Sequence, residues 1–285
     1  SIMMPRAIVS IRRIGEVLDK ESSIKEIDKP LKFDNNKKGV IEFKDVYFRY
    51  PDALENVIEN VSFKAMPGTT TAFIGSTGSG KSTLINLIPR FFDVTGGKIL
   101  VDGVDVKNAN LKKLREKIGY VPQKGMLFTG TIESNISFGT KKLDEKQLKK
   151  IAKISQALEF IEDKDDKFAS EISQGGTNVS GGQRQRLAIA RAIATKPEIY
   201  IFDDSFSALD YKTDMNLRKA LKKEIKGTIL IVAQRISTVM NADQIIVLDK
   251  GKVVGIGKHK ELLNNCDVYK EIALSQLSEE ELKNA

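Results

Sequence analysis

One cysteine, Cys266, and one histidine, His259, are all that 285 residues offer of either kind. A single thiol excludes a disulfide framework and points to a reducing compartment. No run approaches the ~20 consecutive apolar residues that span a bilayer. The chain therefore reads as wholly soluble or as the soluble piece of something larger. No signal-peptide pattern follows Ser1, and an excised fragment is the expectation. No internal repeat is visible. Nor is charge concentrated: 46 basic against 38 acidic residues leave +8. A nucleic-acid partner would need that excess gathered on one face or arm. Lysines such as Lys146, Lys149 and Lys150 are instead spread over what read as solvated helix faces, so no such partner is expected. Few glutamines beside many Lys, Glu and Ile give a thermophile-like balance.

What is present, 41% hydrophobic and 29% charged residues, suits a globular protein of one large domain or two lobes. Residues 1–20 carry Ile8, Ile11, Ile14 and Leu18 at helical spacing, with Arg12, Arg13, Glu16 and Lys20 between them. This amphipathic helix has no obvious partner, and a polar connector runs over 21–39. From Ile41, IEFKDVYFRY and NVSFKA alternate as antiparallel strands do. TTTAFIG reads as a short buried strand, and GKSTLINLIPRF as a helix stopped near Pro89. GGKILVDG reads as a hairpin strand, LKKLREKI as a helix and IGYVPQ as a buried strand. Residues 143–195 read as helical throughout, with Leu148, Ile151, Ala152 and Leu158 on one face. EIYIFDD is an apolar run closed by two carboxylates, the pattern of a central parallel strand. Leu217, Ala220, Leu221 and Ile225 mark a helix, TILIVA a strand, and DQIIVLDKGKVVGIG a hairpin. Strands alternating with helices imply an α/β fold with a β-rich front and a helical insert near 124–195.

The chemistry begins at Gly75-Ser76-Thr77-Gly78-Ser79-Gly80-Lys81-Ser82, a full GxxxxGK(S/T) P-loop running on into Thr83. Its glycines let backbone N–H groups wrap phosphates. Lys81 is placed to neutralise the β and γ phosphates, and the Ser82 hydroxyl to ligate Mg²⁺. The loop lies between a buried strand and an apolar helix, the context the motif requires. Asp203, closing the run Ile199–Phe202, would hold the Mg²⁺ shell through water. Val179-Ser180-Gly181-Gly182-Gln183 opens a later helix. An ordinary N-cap with two turn glycines would account for it, with Gln183 at the capping-box position. The paired glycines also leave that helix end open to an anion, which a second chain would have to bring.

These motifs, in this order, resemble ABC ATPases over about residues 38–280, and more narrowly exporter-type nucleotide-binding domains. The resemblance implies a P-loop NTPase (ABC ATPase) core with an antiparallel β subdomain and an inserted α-helical subdomain, binding ATP and Mg²⁺. It makes Gln123 the Q-loop glutamine, in the Mg²⁺ shell with Ser82 and Asp203. It makes 179–183 the signature offered to a partner's ATP, and Ser207-Ala208-Leu209-Asp210 the D-loop. Tyr50 matches the aromatic that stacks on adenine, although as a residue it would pass for an ordinary strand tyrosine. Met126–Ile132, with Asn135 and Ile136, is similar to the exporter segment that meets the membrane domain. Residues 1–20 resemble the cytoplasmic end of the last transmembrane helix, 21–39 a connector, and 40–285 the ATPase domain.

Three positions depart from the family. Asp204 stands where the family has the glutamate that polarises the attacking water. Gln234, in Val232-Ala233-Gln234-Arg235, stands where the switch-loop histidine touches the γ-phosphate. Glutamine neither charges nor shuttles a proton, and His259 lies too far downstream to substitute. Gln174 replaces a glutamate before the signature, which bears on contacts between domains. Together the first two imply a site that binds ATP but hydrolyses it poorly, as in the degenerate half of a heterodimeric exporter. The implied partners are a second ABC subunit with a competent site, dimerised across ATP, and both transmembrane domains, at the cytoplasmic face of the inner membrane. A homodimeric exporter with slow hydrolysis and a soluble ABC ATPase are the alternatives.

Overall fold

The structure, a computed structural model, describes residues 3–278. Helix α1 (Met3–Leu18) comes first, its Ile8, Ile11, Ile14 and Leu18 exposed. The run after it is irregular but tied down. Arg90 donates to the Lys25 carbonyl (2.9 Å), and Glu26 accepts from the Leu111 amide (3.1 Å). Strands β1 (Ile41–Phe48) and β2 (Ile58–Ala65) pair antiparallel. β3 (Thr70–Gly75) runs into a glycine-rich turn and α2 (Lys81–Asn86). β4 (Gly96–Val101) and β5 (Val104–Asp105) complete a four-stranded antiparallel sheet of order β2-β1-β4-β5. Helix α3 (Leu111–Glu116), capped by Asn110, precedes β6 (Ile118–Val121).

A mostly helical stretch follows: β7 (Gly130–Thr131), α4 (Ile132–Ile136), α5 (Glu145–Ile154), α6 (Leu158–Glu162), β8 (Glu171–Ile172) and α7 (Gly181–Ala194). The chain then returns through β9 (Ile199–Asp203), α8 (Tyr211–Glu224), β10 (Thr228–Val232), α9 (Ile236–Val239), β11 (Gln244–Asp249) and β12 (Lys252–Gly257). Helices α10 (His259–Asn265) and α11 (Asp267–Gln276) end the described chain.

Six strands form the central sheet in the order β12-β11-β3-β10-β9-β6, parallel except for β12. Strands β3, β9, β10 and β11 are near-continuous buried runs because both their faces are covered, whereas β12 at the edge is partly exposed. In β9, Tyr200 and Phe202 join the core shared with the helices, while Ile199 and Ile201 join the core shared with the antiparallel sheet and α2. β10 alternates likewise, Ile229 and Ile231 against Leu230 and Val232. Fully burying one such side chain contributes about 1.5–3 kcal/mol.

Three expectations are corrected. Residues 143–195 are not helical throughout. Gln156 adopts a left-handed φ of 60° and ends α5, so Leu158 belongs to a separate helix. Further on, Lys167, Gly175 and Gly176 also have positive φ, and Glu171–Ile172 pairs with Gly130–Thr131 as a strand. The P-loop helix stops at Asn86, before Pro89, because its last amides tighten onto carbonyls three residues back and Arg90 turns left-handed at φ 55°. Ile225 caps α8 in an extended conformation rather than continuing it.

Candidate functional site

Four loops leave the parallel strands β3, β6, β9 and β10 at their C-terminal ends, where open α/β sheets gather their ligands. Register fixes their levels: Val232 lies beside both Phe73 and Asp203, and Val121 beside Phe202. The next residues along the chain are therefore neighbours although far apart in sequence.

Glycine is obligatory at two points of the P-loop. A Cβ on Gly75 would run into the Leu248 carbonyl oxygen and lie 2.7 Å from Ser79 Oγ. Gly80, with φ 100°, forms the N-cap of α2 without a side-chain cap. Ser76, Thr77 and Gly78 form an exposed rim over buried Ser79, Gly80 and Lys81. The Lys81 ammonium turns back onto its own loop, donating to the Gly75 and Ser76 carbonyls (2.8 Å each) and to Ser79 Oγ (3.3 Å). Burial lowers its pKa, opposed by the charges of Asp204 and Asp203.

Ser82 Oγ donates to Asp203 Oδ1 at 2.8 Å, which joins α2 to the end of β9. Tyr120 Oη lies 3.1 Å from Asp203 Oδ2 and 2.8 Å from Asn86 Oδ1. Asp204 has a left-handed φ of 48°. Its Oδ2 accepts from Gln123 Nε2 (3.0 Å) and from Gln234 Nε2 (3.1 Å). Burial raises the pKa of Asp204, as does the neighbouring Asp203, while the two amides and Lys81 pull it down. A cleft of about 390 Å³ opens between Gln123, Asp204, Ser207 and Gln234.

Tyr50 reaches the P-loop helix through Thr83, hydroxyl to hydroxyl at 3.0 Å. Its ring stands edge-on to Phe48 and Phe92. Ser180 caps α7 with the reciprocal Gln183 contact that the spacing predicts. Gly181 faces open space, and a Cβ on Gly182 would lie 3.2 Å from the Ala208 carbonyl. Asp210 caps α8 through the Thr213 amide. Among the described residues, no hydrogen bond of 180–183 reaches the P-loop. His259 is buried against the Tyr269 hydroxyl (2.7 Å), on helices away from these loops. The structure thus gathers the P-loop, Gln123, Asp203, Asp204, Gln234 and Tyr50, and leaves 180–183 outside. Tyr120 and Asn86 carry no signal of their own in the sequence beyond Tyr120 alternating with Val121 along β6.

The residues fit Mg-ATP. Gly75 and Gly80 leave no room for a side chain, the buried lysine supplies a cation, and Ser82 and Asp203 are adjacent hard oxygen donors. Among the described residues no cluster of three or more His, Cys, Asp or Glu could hold a metal ion. A cation taking its remaining ligands from phosphate and water is what suits such a site.

The ABC transporter family model matches residues 58–207. The chain belongs to the ABC transporter family. As an ABC ATPase domain it binds ATP with Mg²⁺. An uncharacterised ABC transporter ATP-binding protein of Mycobacterium tuberculosis is 44% identical over 279 residues, 96% of this chain and 47% of that protein. The ATP-dependent lipid A-core flippase of Xanthomonas oryzae is 41% identical, covering 97% of this chain and 47% of that protein. A bacterial Atm1-family ABC exporter solved with ATP bound superposes with a TM-score of 0.89 at 30% identity, over 97% of this chain and 48% of that one. The chain spans about half the length of these relatives. Among the described residues no helix is long and apolar enough to cross a membrane.

Proposed function

We propose that this domain serves an ABC exporter as the subunit with a hydrolysis-impaired ATP site, and lends its 180–183 segment to a competent site on a different partner subunit. The observation that carries the reading is the state of Asp204. Its shorter side chain is tied through Oδ2 to the amides of Gln123 and Gln234, where a water-orienting base needs reach towards the attacked phosphate. Gln234 offers an amide donor to a γ-phosphate but no positive charge. Lys81 and the P-loop amides would bind the phosphates, Ser82 and Asp203 would hold Mg²⁺ with Gln123 at its shell, and Tyr50 would stack on the base. Bound Mg²⁺ supplies charge neutralisation at the phosphates.

The same reading takes residues 1–20 as the end of the last transmembrane helix, 21–39 as a connector and 40–285 as the ATPase domain, with its helical subdomain near 124–195. Ile11 of α1 is 68% exposed and belongs to neither apolar core. Met126, 69% exposed, and exposed Phe128 and Phe138 form an apolar patch suited to a cytoplasmic loop of the membrane domain. The domain then works at the cytoplasmic face of the inner membrane, and no nucleic acid takes part.

Two measurements test this. Lys81→Ala, losing hydrogen bonds from a charged donor, should weaken Mg-ATP binding at least about tenfold by isothermal titration. Unchanged affinity would remove the P-loop assignment. The wild-type domain alone should bind ATP yet turn it over little at high protein concentration, whereas vigorous turnover would favour a homodimeric exporter.

A further inference from the structure

We propose that Tyr120 is a positioning residue for Mg²⁺ at this site, acting through Asp203. The inference rests on the Mg-ATP assignment of Ser82 and Asp203. A carboxylate turns easily about its last torsion, so which oxygen faces a metal depends on what holds the other. Asp203 is buried, and two hydroxyls hold it from opposite elements. Ser82 Oγ, on α2, donates to Oδ1, and Tyr120 Oη, on β6, reaches Oδ2 at 3.1 Å. Ser82 keeps its oxygen lone pairs for a cation while its proton stays on Asp203. Tyr120 has no such second duty. It is the fixed end of the arrangement, set by the pairing of Tyr120 with Ile201 two residues before Asp203.

Tyr120 has one proton for two acceptors, since Asn86 Oδ1 lies 2.8 Å away. Turning the Asn86 amide over resolves the conflict. Its Nδ2 then donates to the tyrosine oxygen, and the tyrosine proton goes to Asp203. A chain Asn86–Tyr120–Asp203–Ser82 results, beginning and ending on the P-loop helix and crossing two strands of the sheet. The Tyr120 ring packs edge-on to Phe91 at 5.7 Å, so a phenylalanine keeps the packing and removes only the hydroxyl.

The test is isothermal titration of ATP, with Mg²⁺ and with EDTA, into the wild-type chain and into Tyr120→Phe and Asn86→Ala. In the wild type Mg²⁺ should strengthen ATP binding. Tyr120→Phe should lose roughly tenfold or more of that gain, as for one hydrogen bond to a charged group, with affinity in EDTA unchanged. Asn86→Ala leaves the tyrosine proton to Asp203 and should retain the gain. An undiminished gain in Tyr120→Phe overturns the proposal, as does an equal loss in both variants, which would mark a merely structural role. No gain from Mg²⁺ in the wild type would refute the Mg-ATP assignment itself, and this inference with it.

Discussion

Asp204 differs from a glutamate by one methylene, about 1.5 Å of reach, and its surroundings show what that shortening does. In a left-handed backbone conformation, next to Asp203, its carboxylate draws Gln123 and Gln234 onto the same oxygen. Burial favours the neutral acid while the two amides favour the anion. The group is thereby engaged in holding two loops together. A misplacement of about 1 Å can cost ~100-fold in rate, so Asp204→Glu should raise steady-state ATPase activity in the presence of the partner. Gln234→His adds a ring able to carry charge near physiological pH. Both changes act on one transition state, so the double variant should exceed the product of the singles. A double variant as inert as the wild type would mean that these two residues are not what silences the site.

At the scale of elements, α7 joins two surfaces. Its N-terminus carries Ser180 and the two glycines, and Arg191 lies about 16 Å further along the axis. Arg191 donates to the Asn135 carbonyl (2.9 Å), the Met126 carbonyl (2.9 Å) and Asn135 Oδ1 (2.8 Å), and lies over the rings of Phe128 and Phe138. Asn135 in turn holds both backbone groups of Phe128. Arg191→Ala should cost about 2–3 kcal/mol in urea denaturation and speed amide exchange over 126–136, with ATP affinity unchanged. Exchange confined to wild-type rates there would show that the segment holds itself.

Elements with a sharp period were legible in the sequence. The runs at 70–75, 199–203 and 228–232 are apolar because two cores cover them, and that pattern needs no tertiary knowledge. The P-loop was legible because glycine spacing is itself the mechanism. The break at Gln156 was not, since a left-handed glutamine leaves no mark on composition, and neither were the two-residue strands β7 and β8. Tyr120 was missed for a different reason. Its partners Asn86 and Asp203 lie 34 and 83 residues away, and only the strand order β9-β6 brings them together.

At the scale of the whole molecule, no hydrogen bond of 180–183 reaches the P-loop among the described residues. The proposed role of that segment in a partner's site gives the reading its most discriminating test. Ser180 caps α7, so Ser180→Ala should cost about 1 kcal/mol of stability even in the isolated domain. ATP affinity of that domain should not change, because its own P-loop is intact. Mixed with its partner subunit, the same variant should abolish ATPase activity if the hydroxyl and the open helix end complete the partner's site. Loss of the cap alone could also perturb the complex. Ser180→Thr separates the two effects, since it preserves the capping hydroxyl but adds a methyl group where a phosphate would approach. The expected pattern is a stable Ser180→Thr domain whose mixed complex is nevertheless impaired. A mixed complex left fully active by Ser180→Ala would show that 180–183 completes no site in the partner, and the division of labour between two unlike subunits would fall.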